Sequence, residues 1–180
     1  HATLYICWGA QAGLYHHYGI PKYGLPRKLS GIFSHTINDP TNQLFRGFDD
    51  VFHAPHSRHT EVRSEDIAKI PSLEILAESD EAGVLVAGTL DGRSMFITGH
   101  LEYDRDTLDA EYRRDVAKGL EIAPPAHYYP EDDATRPPLV SWRAHAHLFY
   151  SNWLNYCVYQ QTPYDLTSLE LYNWDWQAGL

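Results

Sequence analysis

The chain has 180 residues, 24 acidic against 14 basic side chains, 43% hydrophobic content and a formal charge of -10. That size and balance describe one compact soluble domain with a real core, and the acidic excess argues against a nucleic-acid surface, which needs clustered Lys and Arg. No stretch approaches the roughly 20 apolar residues that span a bilayer, and no basic segment leads into a hydrophobic run near the start, so neither a membrane partner nor a secretory leader is expected.

In chain order, Thr3 to Cys7 has the β-branched and aromatic content of a short buried strand, and Trp8 to Leu14 continues as a helix start rich in small residues. Gly19 and Pro21 close that helix, and Ile32 to Ile37 alternates as a strand. Residues 38–58 read as mostly irregular. Arg63 to Ile70 is a short helix stopped by Pro71, and Leu73 to Ala77 and Val84 to Ala87 read as strands. Asp91-Gly92 marks a hairpin whose outgoing strand, Ser94 to Thr98, leads into Gly99-His100-Leu101-Glu102. Asp106 to Gly119 has a helical period, with Asp106 as N-cap and Gly119 as stop. Residues 123–138 are loop, and Ser141 to Gln161 reads as one long aromatic helix before Pro163. The alternation favours an α/β layer fold with an open sheet.

Three residues stand out chemically. A cysteine at a sharp strand-to-helix turn has its sulfur pushed out of the sheet, and the helix N-terminus behind it favours a thiolate. For Cys7, the backbone N–H of Trp8 points at the same spot and could line an oxyanion hole for acyl transfer, with Gly9 easing the turn. The competing reading is a buried structural cysteine. His100-x-Glu102 at a strand end supplies a base and, two residues on along an extended segment, a carboxylate to fix its tautomer. Cys7 and Cys157 lie far apart and make a poor disulfide framework, so a reducing cytoplasm is the expected home.

His53, His56 and His59 invite a metal-site reading, but the run contains Pro55 and looks like loop, so no metal is expected there. His16-His17, His145 and His147 are read as packing or surface hydrogen bonding. Arg27-Lys28 and Arg113-Arg114 are local basic pairs that either sit in solvent or capture a carboxylate or coenzyme A phosphates.

The run Ile6-Cys7-Trp8-Gly9-Ala10-Gln11-Ala12-Gly13-Leu14-Tyr15, followed by Tyr18-Gly19-Ile20-Pro21-Lys22, resembles the homoserine O-acyltransferases of methionine biosynthesis. Arg46 to Asp50, Ala54 to Arg58, Thr98-Gly99-His100, Glu102-Tyr103-Asp104, Ser141-Trp142-Arg143 and Asn152 to Tyr156 are similar to that family's signatures in their order, so the likeness runs from about residue 3 to Leu166. The resemblance implies an α/β fold with an open, mainly parallel sheet flanked by helices, like that of class I glutamine amidotransferases, and a cytoplasmic homodimer. It implies ping-pong transfer of an acyl group from acetyl-CoA or succinyl-CoA, with acetyl favoured, to the hydroxyl of L-homoserine, with no bound cofactor. It casts Cys7 as the thioester-forming nucleophile, His100 as proton acceptor, Glu102 as its partner, and Lys28, Ser57 and Arg114 as substrate-binding residues.

The chain opens at His1-Ala2 without an initiator Met and enters a strand pattern at once, as expected of residues 1–180 forming the C-terminal part of a longer single domain whose front strands are missing. The tail through Trp174 and Trp176 matches no pattern. Three other readings share these residues: serine O-acetylation, glutamine amidotransfer, and a non-enzymatic module holding metal at His53, His56 and His59.

Overall fold

The structure, a computed structural model, describes residues 1–160. Its elements are β1 (Thr3–Ile6), α1 (Trp8–Tyr18), β2 (Tyr23–Ile37), β3 (Val51–Glu61), α2 (Ser64–Ile67), β4 (Leu73–Ser79), β5 (Gly83–Thr89), β6 (Ser94–Ile97), α3 (Thr107–Ala117) and α4 (Arg143–Asn152). The six strands form one sheet in the order β1-β6-β5-β4-β2-β3.

The fold is α/β, as expected, but the sheet is not mainly parallel within the described residues. Only β1 and β6 run parallel, with Ile6 opposite Ile97; β6 with β5, β5 with β4, β4 with β2 and β2 with β3 are antiparallel. Connection length explains the difference. Residues 80–82 and 90–93 are too short to carry the chain back to a strand's start, so they reverse it, whereas a parallel neighbour needs a crossover of a dozen residues or more. The Asp91-Gly92 turn is where the sequence puts it, with Gly92 at φ 69 and the Asp91 carboxylate accepting from the Arg93 N–H and the Thr89 hydroxyl.

Strand alternation divides the apolar residues between two cores, one on each face of the sheet. Phe96 joins Ala10, Leu14, Ile67 and Val84 beneath α1 and α2. Its neighbours Met95 and Ile97 join Phe52, Leu85, Tyr128, Trp142 and Phe149 on the α4 side. Gly13 allows α1 to lie close, because a Cβ there would meet Phe96 at 3.0 Å and Tyr5 at 3.1 Å.

Three stretches depart from the sequence expectation. Residues 51–58, within the stretch 38–58 expected to be mostly irregular, form most of β3, which tolerates Pro55 because it is the outer strand of the sheet and a proline there breaks no inner ladder. The strand expected at 32–37 extends back to Tyr23, with a register shift between Gly24 and Leu29 that takes up Pro26. The aromatic helix ends as a helix at Asn152 and continues as a π-helical stretch over Trp153–Tyr159; its expected end at Gln161, and the tail containing Trp174 and Trp176, lie outside the described residues. The remaining helix boundaries move less. α2 is shorter than expected, and α3 sits within one or two residues of its expected ends, with Gly119 left-handed at φ 75 just beyond it. Among the described residues, no helix is long and apolar enough to cross a membrane.

Candidate active site

Cys7 follows β1 directly and stands at the N-terminus of α1 with φ 49 and ψ -112, a region that residues other than glycine rarely occupy. The sharp turn therefore falls on Cys7 itself and not on Gly9, which lies inside α1 in ordinary helical conformation with open space where a Cβ would be. The Cys7 N–H donates to the Ile97 carbonyl at 2.6 Å, which fixes the turn to the end of β6. The first helical bond of α1 runs from the Gln11 N–H to the Cys7 carbonyl, so the N–H groups of Trp8, Gly9 and Ala10 precede the ladder and are left without an intrahelical acceptor. Cys7 is half-buried, and its Sγ lies 4.0 Å from the Ser57 carbonyl oxygen.

The same pairing of β1 and β6 delivers His100. Three residues beyond Ile97 the chain bends, and the His100 N–H donates to the Pro55 carbonyl at 2.8 Å. Gly99 makes this approach possible, since a Cβ there would lie 2.8 Å from that carbonyl and 3.1 Å from His56 Nε2. His100 Nδ1 lies 2.6 Å from Glu102 Oε1. The two side chains meet across a turn closed by the Tyr103 N–H and the His100 carbonyl, not along an extended strand as the spacing alone suggests. Burial pushes the imidazole pKa down, but hydrogen bonding to Cys7 and Glu102 and their negative charge outweigh it and raise it to about 9. The arrangement favours a protonated His100 ring beside the Cys7 sulfur.

The expected binding residues gather around Ser57, whose carbonyl lies next to the Cys7 sulfur. Ser57 on β3 donates its hydroxyl to Glu111 Oε2, and the Lys28 ammonium, one-tenth exposed, lies 3.2 Å from both Glu111 and Asp115. Arg114 is more open and pairs with Asp115 at 2.8 Å. Glu111 and Asp115 are the residues that sequence reasoning missed, together with Tyr103, which donates to Glu111 at 2.9 Å and stacks on the His100 ring. A signal was present: Glu111, Arg114 and Asp115 fall at i, i+3 and i+4, hence on one face of α3. Burial pushes the Glu111 carboxyl up, and its bonds from Ser57, Tyr103 and Lys28 bring it below the usual range, so it stands as a carboxylate.

The histidine run has a different role from any metal cluster. On β3, His56 points to the opposite face from His53 and His59, and it is fully buried with its Nε2 3.0 Å from His35 Nε2. The run is strand and not the loop expected from Pro55, and strand alternation keeps the three rings from converging. Arg27, the neighbour of Lys28, makes no hydrogen bond or ion pair with a described residue, and Arg113 pairs with Asp109 on its own helix.

The chain is similar to known proteins in sequence and in fold. The chain is 65% identical over 167 residues to a homoserine O-acetyltransferase of Brevibacillus brevis, covering 93% of this chain and 55% of that protein. It is 60% identical over 170 residues to a homoserine O-acetyltransferase of Acetivibrio thermocellus, covering 94% and 56%. The chain thus spans little more than half the length of the curated relatives it matches. Among solved structures it resembles a glutamine amidotransferase of Thermotoga maritima (TM-score 0.56, 15% identity, 84% of this chain and 60% of that one) and one of Methylobacillus flagellatus (TM-score 0.56, 14% identity, 84% and 61%). At such identities the likeness is one of fold, and it bears out the expected amidotransferase-like α/β architecture. The model of the homoserine O-succinyltransferase family matches residues 1–164, and with relatives this similar the chain belongs to that family.

Proposed function

We propose that this chain carries the reacting groups of a homoserine O-acyltransferase that works in the full-length protein by a ping-pong mechanism, in the cytoplasm and as a homodimer. The observation that supports it most directly is the convergence of Cys7, His100 and Glu102 at the ends of two adjacent parallel strands.

The Cys7 thiolate attacks the thioester carbonyl of acyl-CoA, and the Trp8 N–H at the start of α1 helps hold the oxyanion. As the bond between the carbonyl and the CoA sulfur breaks, His100 gives its Nε2 proton to that sulfur and CoA leaves as a thiol. Acylation removes the thiolate charge that held the imidazolium, so burial again favours the neutral ring. Neutral His100 then takes the proton of the homoserine hydroxyl, whose oxygen attacks the Cys7 thioester, and Cys7 departs as a thiolate beside the restored imidazolium. No external base is required, and the proton count closes over one cycle.

Acceptor recognition follows from charge. An α-amino acid brings a carboxylate, which suits the accessible guanidinium of Arg114, and an ammonium, which suits the Glu111 carboxylate held by Ser57 and Lys28. The acetyl donor is favoured over succinyl because the similar relatives named above are O-acetyltransferases.

The test is intact mass after incubating the full-length enzyme with acetyl-CoA or succinyl-CoA and no amino acid. The expected result is one acetyl group on Cys7, discharged by L-homoserine faster than by L-serine and absent from Cys7→Ser. Folded protein that gains no acyl group from either donor, yet hydrolyses glutamine, overturns the reading in favour of amidotransfer.

A further inference from the structure

We propose that Tyr103 is a positioning residue of this centre: its ring holds the His100 imidazole in the orientation that serves Cys7, and its hydroxyl holds the Glu111 carboxylate in place beside it. The proposal rests on the acyl-transfer reading above.

Hydrogen bonds to Glu102 and to Cys7 hold the imidazole along one line but leave the ring free to rock about it. Tyr103 removes this freedom. Its ring lies face to face with His100, centroids 4.1 Å apart and planes 18° apart. Tyr103 is itself held at three points. Its N–H meets the His100 carbonyl at 3.2 Å, its carbonyl accepts from Trp142 Nε1 at 3.0 Å, and its hydroxyl donates to Glu111 Oε1 at 2.9 Å. Trp142 is fully buried, so that anchor belongs to the core.

The hydroxyl carries the second half of the inference. Simple packing behind His100 would be served by phenylalanine, yet the phenol is spent on the one carboxylate that also gathers Ser57 and Lys28. Burial and Glu111 push the phenol pKa well above its ordinary range, so it stays a donor at every working pH. The groups facing His100 are Cys7 from the turn before α1, His56 from β3 with Arg58 beside it, and Glu102 and Tyr103 from its own segment; Tyr150 of α4 stands next to Glu102. Against the cationic ring, the π face of Tyr103 acts in the same sense as Cys7 and Glu102, favouring the charged form.

The experiment uses the full-length enzyme with Tyr103→Phe, Tyr103→Leu and Glu111→Gln. Cys7 alkylation by iodoacetamide is followed against pH without substrate, and steady-state kinetics are run with acetyl-CoA and L-homoserine. Tyr103→Phe is expected to leave the alkylation profile in place while raising the homoserine KM several-fold, and that effect should not add to that of Glu111→Gln, which cuts the same link from the other end. Tyr103→Leu is expected to move the acid limb of alkylation upward by about half to one pH unit and to lower kcat at least about tenfold. A leucine variant with an unmoved limb and unchanged kcat would reduce Tyr103 to packing. Additive KM effects of Tyr103→Phe and Glu111→Gln would sever the claimed link, and this holds even if the leucine variant does not fold. Failure of the wild type to form an acyl adduct counts against the acyltransferase reading alone, because the alkylation profiles test the positioning without any acyl donor.

Discussion

Cys7 combines its proposed nucleophilic role with backbone strain. A non-glycine residue held at φ 49 and ψ -112 costs on the order of 1–3 kcal/mol, and here the bond from its N–H to Ile97 helps impose the conformation. Cys7, His100 and Glu102 were legible in the sequence because their types are chemically distinctive and a strand-to-helix change brackets the cysteine. Glu111 was not legible. A carboxylate on an amphipathic helix reads as solvated, and it becomes a site residue only because α3 lies against Ser57 and Lys28, contacts separated by 54 and 83 residues in sequence. Glu111→Gln keeps the shape and removes the charge, so kcat/KM for homoserine should fall roughly ten- to hundredfold, the worth of one charge-assisted hydrogen bond. Acylation of Cys7 by the donor alone should change far less, and stopped-flow measurement of the two half-reactions separates them.

Elements position these residues through close approaches that a sequence does not announce. The use of Gly99 is spatial: it lets the segment carrying His100 touch the backbone of β3. Gly99→Ala drives a methyl group against the Pro55 carbonyl, a neighbour that cannot swing aside. The expected cost is about 1–3 kcal/mol in denaturant unfolding, with a loss of turnover larger than the loss of folded protein because His100 is displaced. β3 shows the opposite failure of local reading. Pro55 argues against a strand by propensity, and only its place at the rim of the sheet, a property of the whole topology, makes it acceptable. The β5–β6 hairpin was legible because a short connector and a left-handed glycine encode it locally, and β4 and β5 were legible as strands.

Across the whole molecule the histidines act in opposing senses. Burial in the β2–β3 ribbon lowers the His35 pKa to about 4 and that of His56 well below its ordinary value. Both are depressed, so the folded state binds fewer protons than the unfolded chain, and stability falls as the pH drops from about 6.5 towards 4. His100 is raised, so its contribution is complete below about 6.5 and is lost as the pH climbs through about 9. Stability should therefore be greatest near neutrality. At pH 5, His35 alone should cost about 2 kcal/mol relative to neutral pH, and His35→Gln should flatten that acid slope in urea titrations of the full-length protein. An acid slope that is the same in both proteins would show that other groups govern it.

The parallel pairing of β1 with β6 has a consequence in time as well as in space. It joins residues roughly ninety positions apart, whereas the β4–β5 and β5–β6 hairpins close over a handful, so the loop-closure entropy of the first is by far the larger. Refolding should complete the hairpins first and zip β1 into place late. Pulse-labelled hydrogen exchange should then find the Thr3 and Cys7 amides, which donate to Arg93 and Ile97, protected after those of Leu85 and Ala87. Until that last strand docks, the thiol and the imidazole belong to separate parts of a half-built sheet, and the nascent chain is chemically silent.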